Sequence, residues 1–65
     1  MGVFDLPSYW VYVEYENGER KNVANTDTLN ETEAKEFKER WENTIPVVKV
    51  TLETSNGRII KEFTY

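Results

Sequence analysis

Two Asn-Gly pairs, Asn17-Gly18 and Asn56-Gly57, restrict most strongly what this chain can fold into, because each lies between strand-like residues. Both central positions of a type I′ turn need a positive φ angle, which Asn and Gly tolerate. Each pair therefore predicts a β-hairpin closed by a two-residue loop. A chain of 65 residues is too short for two hydrophobic cores. The two hairpins are therefore expected to share one small domain.

The segment between the two turns, residues 30–43, is predicted to be an amphipathic helix. Ala34, Phe37 and Trp41 are three and four residues apart, which is the spacing of one helix face. The remaining positions are mostly charged. This face is expected to pack on the hairpins.

Both ends of the predicted helix carry recognisable signals. Asn30 can serve as the N-cap, and Glu33 can complete a capping box by accepting from the backbone N–H of the cap. At the other end Asn43 is expected to adopt a left-handed conformation, and Pro46 prevents continuation. The boundaries thus agree with the apolar spacing.

The second hairpin has one mostly apolar side. A two-residue loop places these residues opposite each other on that side: Val48 and Tyr65, Val50 and Phe63, Leu52 and Lys61, Thr54 and Ile59. The other side, with Lys49, Thr51, Glu53 and Ile60, is expected to face solvent.

The first hairpin has a less regular pattern. One side is expected to hold Tyr9, Val11, Val13, Tyr15, Ala24, Arg20 and Asn22. The other is expected to hold Trp10, Tyr12, Val23, Asn25, Glu14, Glu16, Glu19 and Lys21. Burying four charges is costly, so the first side is assigned to the core. Trp10, Tyr12 and Val23 then point away from it.

These elements predict an α+β fold of the order ββαββ, with two hairpins in one four-stranded sheet and a single helix on one face. The predicted domain, 1–65, comprises an N-terminal arm over 1–7, hairpins over 8–26 and 47–65, and the helix. In outline the order of elements resembles the immunoglobulin-binding domains of protein G, without a shared residue motif. That resemblance implies strand order 2-1-4-3 with the terminal strands parallel in the centre. It implies nothing about function.

The composition removes most routes to catalysis. The chain has no cysteine and no histidine, which excludes disulfides, zinc fingers, thiol nucleophiles and imidazole acid-base chemistry. Its three glycines form no phosphate-binding loop, and no carboxylate has a sequence reason to be buried in a cleft. We expect no enzyme activity, no small-molecule substrate, no metal and no cofactor.

Charge and hydropathy point to a cytoplasmic, soluble protein. Twelve acidic residues against eight basic ones give a net charge of −4, and the basic residues form no cluster. Binding to duplex nucleic acid or to a membrane surface depends on attraction to phosphates, so both are disfavoured. No apolar stretch is long enough for a membrane span.

The predicted outward group of Trp10, Tyr12 and Val23 is the leading candidate site. Exposed aromatic residues on a sheet suit a protein interface, because they offer large rigid contact area. The expected function is a non-enzymatic protein-interaction module, acting as a homo-oligomer or as an accessory or inhibitory partner. Alternatively, apolar residues of the arm cover this group, or it only stabilises the sheet.

Two further functions are possible on sequence grounds. Four helix residues could form a row that imitates nucleic-acid phosphates, as in small acidic inhibitors encoded by phages and mobile elements: Glu31, Glu36, Glu39 and Glu42. The chain resembles such inhibitors in size and sign of charge, although basic residues interrupt the row. The second alternative is stacking of single-stranded nucleic acid on the aromatic group, which the neighbouring glutamates oppose.

Overall fold

The computed structural model describes residues 8–65. Its elements, in chain order, are β1 (Tyr9–Tyr15), β2 (Arg20–Thr26), α1 (Glu31–Trp41), β3 (Val47–Glu53) and β4 (Ile59–Thr64). The strands form one antiparallel sheet with a single helix on one face, so the predicted ββαββ fold of the α+β class is confirmed. The predicted arm over 1–7 lies outside the described residues.

The strand order is β2-β1-β3-β4, and the predicted order 2-1-4-3 is wrong. β1 pairs antiparallel with β3, so the centre of the sheet is formed by β1 and β3 and not by β1 and β4 as predicted. A central strand has neighbours on both sides, which suits the fully buried Val47, Val50 and Leu52 of β3. On the same side of the sheet, β4 carries Lys61 opposite Leu52. A strand with a charged residue on its core side is better suited to an edge of the sheet.

The core lies between the sheet and α1. Its buried members are Val11, Val13, Tyr15, Leu29, Ala34, Val47, Val50 and Leu52. Phe37 and Trp41 are half-buried against this cluster, so the predicted helix face is confirmed. The predicted core face of β1 is also confirmed.

Both hairpin loops differ from the predicted type I′ turns. Gly18 and Gly57 have φ angles of 92°, and no other described residue has a positive φ. The Tyr15 carbonyl accepts from the Gly18 N–H at 2.8 Å, and the Tyr15 N–H donates to the Glu19 carbonyl at 2.8 Å. Each loop therefore has three residues and ends in a left-handed glycine, which is the G1 bulge arrangement. Asn-Gly suits either turn, so the sequence could not distinguish them.

Near each loop, the strand pairing differs by one residue from the register that a two-residue loop predicts. A bulge farther along each hairpin restores the predicted register. In the second hairpin, Leu52 lies opposite Lys61 and Val50 opposite Phe63, as predicted. Nearer the loop Ile59 lies opposite Glu53, not Thr54, and Ile60 has no partner. Ile59 is consequently on the solvent side of the sheet, where the prediction had placed Ile60 alone.

A third bulge separates Val47 from Val48 in β3. Tyr15 pairs with Val47 and Glu14 with Lys49, so Val48 has no partner in β1. Val47 takes the core position that was predicted for Val48, which is only half-buried. The Val48 carbonyl still accepts from the Tyr65 N–H at 2.7 Å.

In the first hairpin the shift exchanges the faces of two basic residues. Val11 pairs with Ala24, but Val13 pairs with Lys21 and Glu14 with Arg20. Lys21 therefore lies on the helix side and Arg20 on the other side, the reverse of the prediction. Asn22 pairs with Tyr12 and leaves the predicted core face too. A slip of one residue moves each side chain to the opposite face of a strand.

The predicted capping box is confirmed. The Asn30 side chain accepts from the Glu33 N–H at 2.8 Å, and the Glu33 carboxylate accepts from the Asn30 N–H at 3.0 Å. At the other end Asn43 is not left-handed. The helix ends instead at Glu42 in an extended conformation, and the Asn43 side chain accepts from the Ile45 N–H at 2.8 Å.

Candidate functional site

The sheet face opposite α1, here called the outer face, carries two of the three predicted site residues. Trp10 and Tyr12 alternate along β1 with the buried Val11 and Val13, and both are half-buried. Trp10 lies directly opposite Glu53 of β3, and Tyr12 lies opposite Thr51 of the same strand. The outer face is thus mixed in character, with aromatic residues beside a polar pair.

The polar pair on β3 is buried, although a solvated position was predicted for both residues. Thr51 is 4% exposed and Glu53 5% exposed. The Thr51 hydroxyl donates to Glu53 Oε2 at 2.8 Å, and the Arg20 guanidinium donates to the same oxygen. A buried carboxylate requires such partners, because desolvating an unpaired charge is costly.

Arg20 crosses the outer face to reach this carboxylate. Its guanidinium lies 4.5 Å from the centre of the Tyr12 ring, within cation–π range. The Arg20 side chain is 43% exposed, whereas that of Glu53 is 7% exposed. Arg20 therefore connects an edge strand to a central strand and places a charged group on the outer face.

An apolar side chain that the sequence did not place here completes the outer face. Ile59 pairs with Glu53, which in turn pairs with Trp10, so the three residues form one row across the sheet. Ile59 is 51% exposed, and the adjacent Ile60 is also exposed. The outer face thus presents an accessible isoleucine beside two partly accessible aromatic rings.

Val23, the third predicted site residue, is not part of this group. It is the unpaired residue of the bulge in β2, between partners of Val11 and Tyr12. It is half-buried and packs against the core cluster. Strict alternation along β2 had predicted the opposite, and no residue type in β2 indicates where the bulge falls.

The predicted acidic row is only partly formed. Glu31, Glu36 and Glu39 are exposed along α1 and line a shallow depression that Lys35 also lines. Glu42 is separated from them by its own contacts. It accepts from Lys38 Nζ at 2.8 Å and from the Val47 N–H at 3.1 Å.

The contacts of Glu42 change its acidity. The hydrogen bond from Lys38 is the main reason that the pKa of the Glu42 carboxyl is lowered. The backbone N–H of Val47 and the positive charge of Lys38 act in the same direction, while partial burial opposes them. Glu42 is therefore held in its charged form at the end of the helix.

A groove of about 230 Å³ lies between β2 and α1, on the helix side of the sheet. The residues that line it are Ala24, Asn25, Thr26, Thr28, Glu33, Glu36, Phe37 and Arg40. This groove was not predicted from the sequence, because it depends on which strands the helix covers.

Within residues 8–65 no group of three or more acidic side chains is close enough to hold a metal ion. Every buried side-chain nitrogen and oxygen of that range has a hydrogen-bond partner. The helix of that range is too short and polar to cross a membrane. Both partners of the Glu53 carboxylate, Arg20 and Thr51, contact its Oε2 atom.

Comparison with known proteins gives no family for this chain. No protein-family model, no curated protein and no solved structure matches it significantly.

Proposed function

We propose that this protein is a non-enzymatic protein-interaction module that binds a second copy of itself through its outer face. The observation that carries the proposal is that Trp10, Tyr12 and Ile59 share the sheet face that α1 does not cover. The solvated face of an antiparallel sheet is normally polar. Large apolar side chains on such a face favour a contact that removes them from water.

The charges of the outer face favour a second copy as the partner. Arg20 is paired with Glu53, and Lys49 lies 3.9 Å from Glu62, so four of its charged side chains are already matched within the face. A two-fold interface brings the same patch of both copies together, and matched charges limit the repulsion. The acidic surface of α1, formed by Glu31, Glu36 and Glu39, would point away from such an interface.

The size of the chain supports self-association as well. A domain of 65 residues without disulfides has a small core, and oligomerisation is one way in which such domains gain stability. An interface through the outer face would give the sheet a second covering layer.

The deciding experiment is sedimentation velocity on the wild-type chain and on Ile59→Lys. Because Ile59 is half exposed, its replacement should leave the fold intact while placing a charge in the interface. We expect a dimeric wild type and a monomeric I59K. Thr32→Lys, which adds the same charge on the exposed side of α1, is the matched control and should remain dimeric. A monomeric wild type, or a dimeric I59K, would overturn the proposal.

A second candidate is the acidic inhibitor that imitates nucleic-acid phosphates. It is supported by the exposure of Glu31, Glu36 and Glu39 on one side of α1. Lys35 among these residues and the ion pair of Glu42 both weaken the imitation. Self-association through the outer face is preferred, because no neighbouring residue within 8–65 cancels the contribution of its apolar side chains in the way that lysines reduce the negative charge of the row.

A further inference from the structure

The position of α1 leaves one side of the sheet incompletely covered. The helix packs mainly on β3 and, to a lesser extent, on β1. The groove between α1 and β2 is the result, and its apolar part is formed by Phe37 from the helix and Ala24 from the strand. Both residues are half-buried, so an apolar side chain placed there would be largely removed from water.

β2 is also an edge of the sheet. Within residues 8–65 it pairs only with β1, so no strand of that range pairs with its outer side. An edge strand offers backbone N–H and C=O groups to an added strand. Extended peptides bind in this way where a groove beside the edge receives their alternate side chains. At the other edge, β4 has exposed isoleucines, whereas the groove with Phe37 lies beside β2.

The dimensions limit the length of chain that the groove can hold. Its helical wall extends from Glu33 to Arg40, which is about 10 Å at 1.5 Å per residue. An extended chain rises about 3.3 Å per residue, so the groove accommodates about three residues, and the residue on either side of these three lies at an end of the groove. At the far end the Lys21 ammonium lies 5.8 Å from the centre of the Trp41 ring, and this contact bridges the strand and the helix.

Charges along the helical wall define an orientation. Glu36 lies one turn before Arg40, so the wall is negative towards the start of α1 and positive towards its end. The Glu33 carboxylate is already engaged in the capping box. Since β2 runs from the end of α1 towards its start, an antiparallel added strand would place its N-terminal part near Glu36 and its C-terminal part near Arg40.

We infer that this groove binds a short extended peptide as a fifth strand on β2, with an apolar residue over Phe37, a basic residue two positions before it and an acidic residue two positions after it. The site is separate from the outer face and does not depend on self-association. Its partner is a peptide segment of another protein with this order of charges.

The test uses two synthetic peptides, Thr-Lys-Thr-Val-Thr-Glu-Thr and its charge-reversed form Thr-Glu-Thr-Val-Thr-Lys-Thr. Binding to the full chain is measured from backbone amide chemical shifts during titration. We expect the first peptide to bind at least threefold more tightly, with shifts concentrated in β2 and α1. The double variant Glu36→Lys/Arg40→Glu should reverse this preference. Glu39→Lys, which lies outside the groove, should not.

Three results would overturn the inference. They are the absence of binding by either peptide, shifts concentrated in β4, and a preference that E36K/R40E leaves unchanged. The Ile59→Lys variant should bind the peptide like the wild type. Loss of dimerisation and loss of peptide binding can therefore be distinguished.

Discussion

Arg20 and Glu53 are 33 residues apart in the chain, and their side chains form an ion pair across the outer face. Arg20 belongs to the edge strand β2, and Glu53 ends the central strand β3. The contact therefore passes over β1, with the Tyr12 ring beneath the guanidinium. It joins the two hairpins on the side of the sheet that has no helix.

Removal of Arg20 should leave the Glu53 carboxylate buried with Thr51 as its remaining partner. We expect Arg20→Ala to lower the free energy of unfolding by about 1–3 kcal/mol, below the full cost of a buried pair because Arg20 is partly exposed. Adding Glu53→Gln should recover part of this loss. Urea unfolding of both single variants and the double variant measures the coupling, and strictly additive effects would contradict it.

Lys49→Ala is the control for this experiment. The ion pair of Lys49 with Glu62 is also on the outer face, but both side chains are substantially exposed. Its loss should change the free energy of unfolding by no more than about 0.5 kcal/mol.

Gly18 tests the loop geometry of the first hairpin. Its φ angle is 92°, and a Cβ atom at this position would have no other atom within 4 Å. The cost of Gly18→Ala is therefore a backbone cost of about 1–2 kcal/mol. Gly18→Asn should cost less, because Asn tolerates positive φ better than Ala. Equal thermal stabilities of G18A and G18N would contradict this account.

The features that the sequence predicted correctly all depend on local signals. Residues 30 and 33 specify the capping box by themselves, and the alternation of Val11 and Val13 defines the core face of β1. The outward orientation of Trp10 and Tyr12 follows from the same alternation. Each of these patterns involves residues within a few positions of each other, so one segment contains the whole signal.

The features that could not be predicted depend on choices between distant segments. Whether β3 or β4 lies beside β1 depends on pairing between the two hairpins, and in this fold α1 packs mainly on β3. The bulges at Val23 and Ile60 are set by pairing with another strand, and each moves a neighbouring residue to the other face. For this reason Val23 was wrongly predicted to point away from the core, and neither the outer-face position of Ile59 nor the burial of Glu53 was predicted.

Leu29 lies in the connection before α1 and is 1% exposed. It immediately precedes the N-cap, and Ala34 at the fourth helical position is also buried, as in a hydrophobic staple. We expect Leu29→Ala to cost about 2–5 kcal/mol, because a large buried side chain leaves a cavity. Asn30→Ala should cost only about 1 kcal/mol for the lost cap. Denaturant unfolding compares them, and a smaller loss for L29A would show that the connection does not anchor the helix.

The acidic surface of α1 can be reversed without touching the outer face. Glu36→Lys and Glu39→Lys together change the net charge from −4 to 0, since each substitution replaces one negative charge by one positive charge. If the outer face mediates self-association, the sedimentation coefficient of this variant at moderate salt should stay that of the wild type. A variant that loses the dimer would show that the acidic surface takes part in the contact.

Glu42 should give the stability of the fold a dependence on acid pH. The pKa of its carboxyl is lowered below the ordinary value of 4.5 in the folded chain, mainly by the hydrogen bond from Lys38. A group whose pKa is lower in the folded state stabilises the fold above its unfolded pKa, and this contribution disappears as the pH falls through the folded value. Glu42→Gln keeps an oxygen for the Val47 N–H but removes the charge. The stability difference between wild type and E42Q should therefore be constant well above pH 4.5 and shrink as the pH falls below that value. Glu39→Gln, on the exposed side of α1, serves as the comparison, and a difference for E42Q that does not change with pH would mean that Glu42 acts through shape and not through charge.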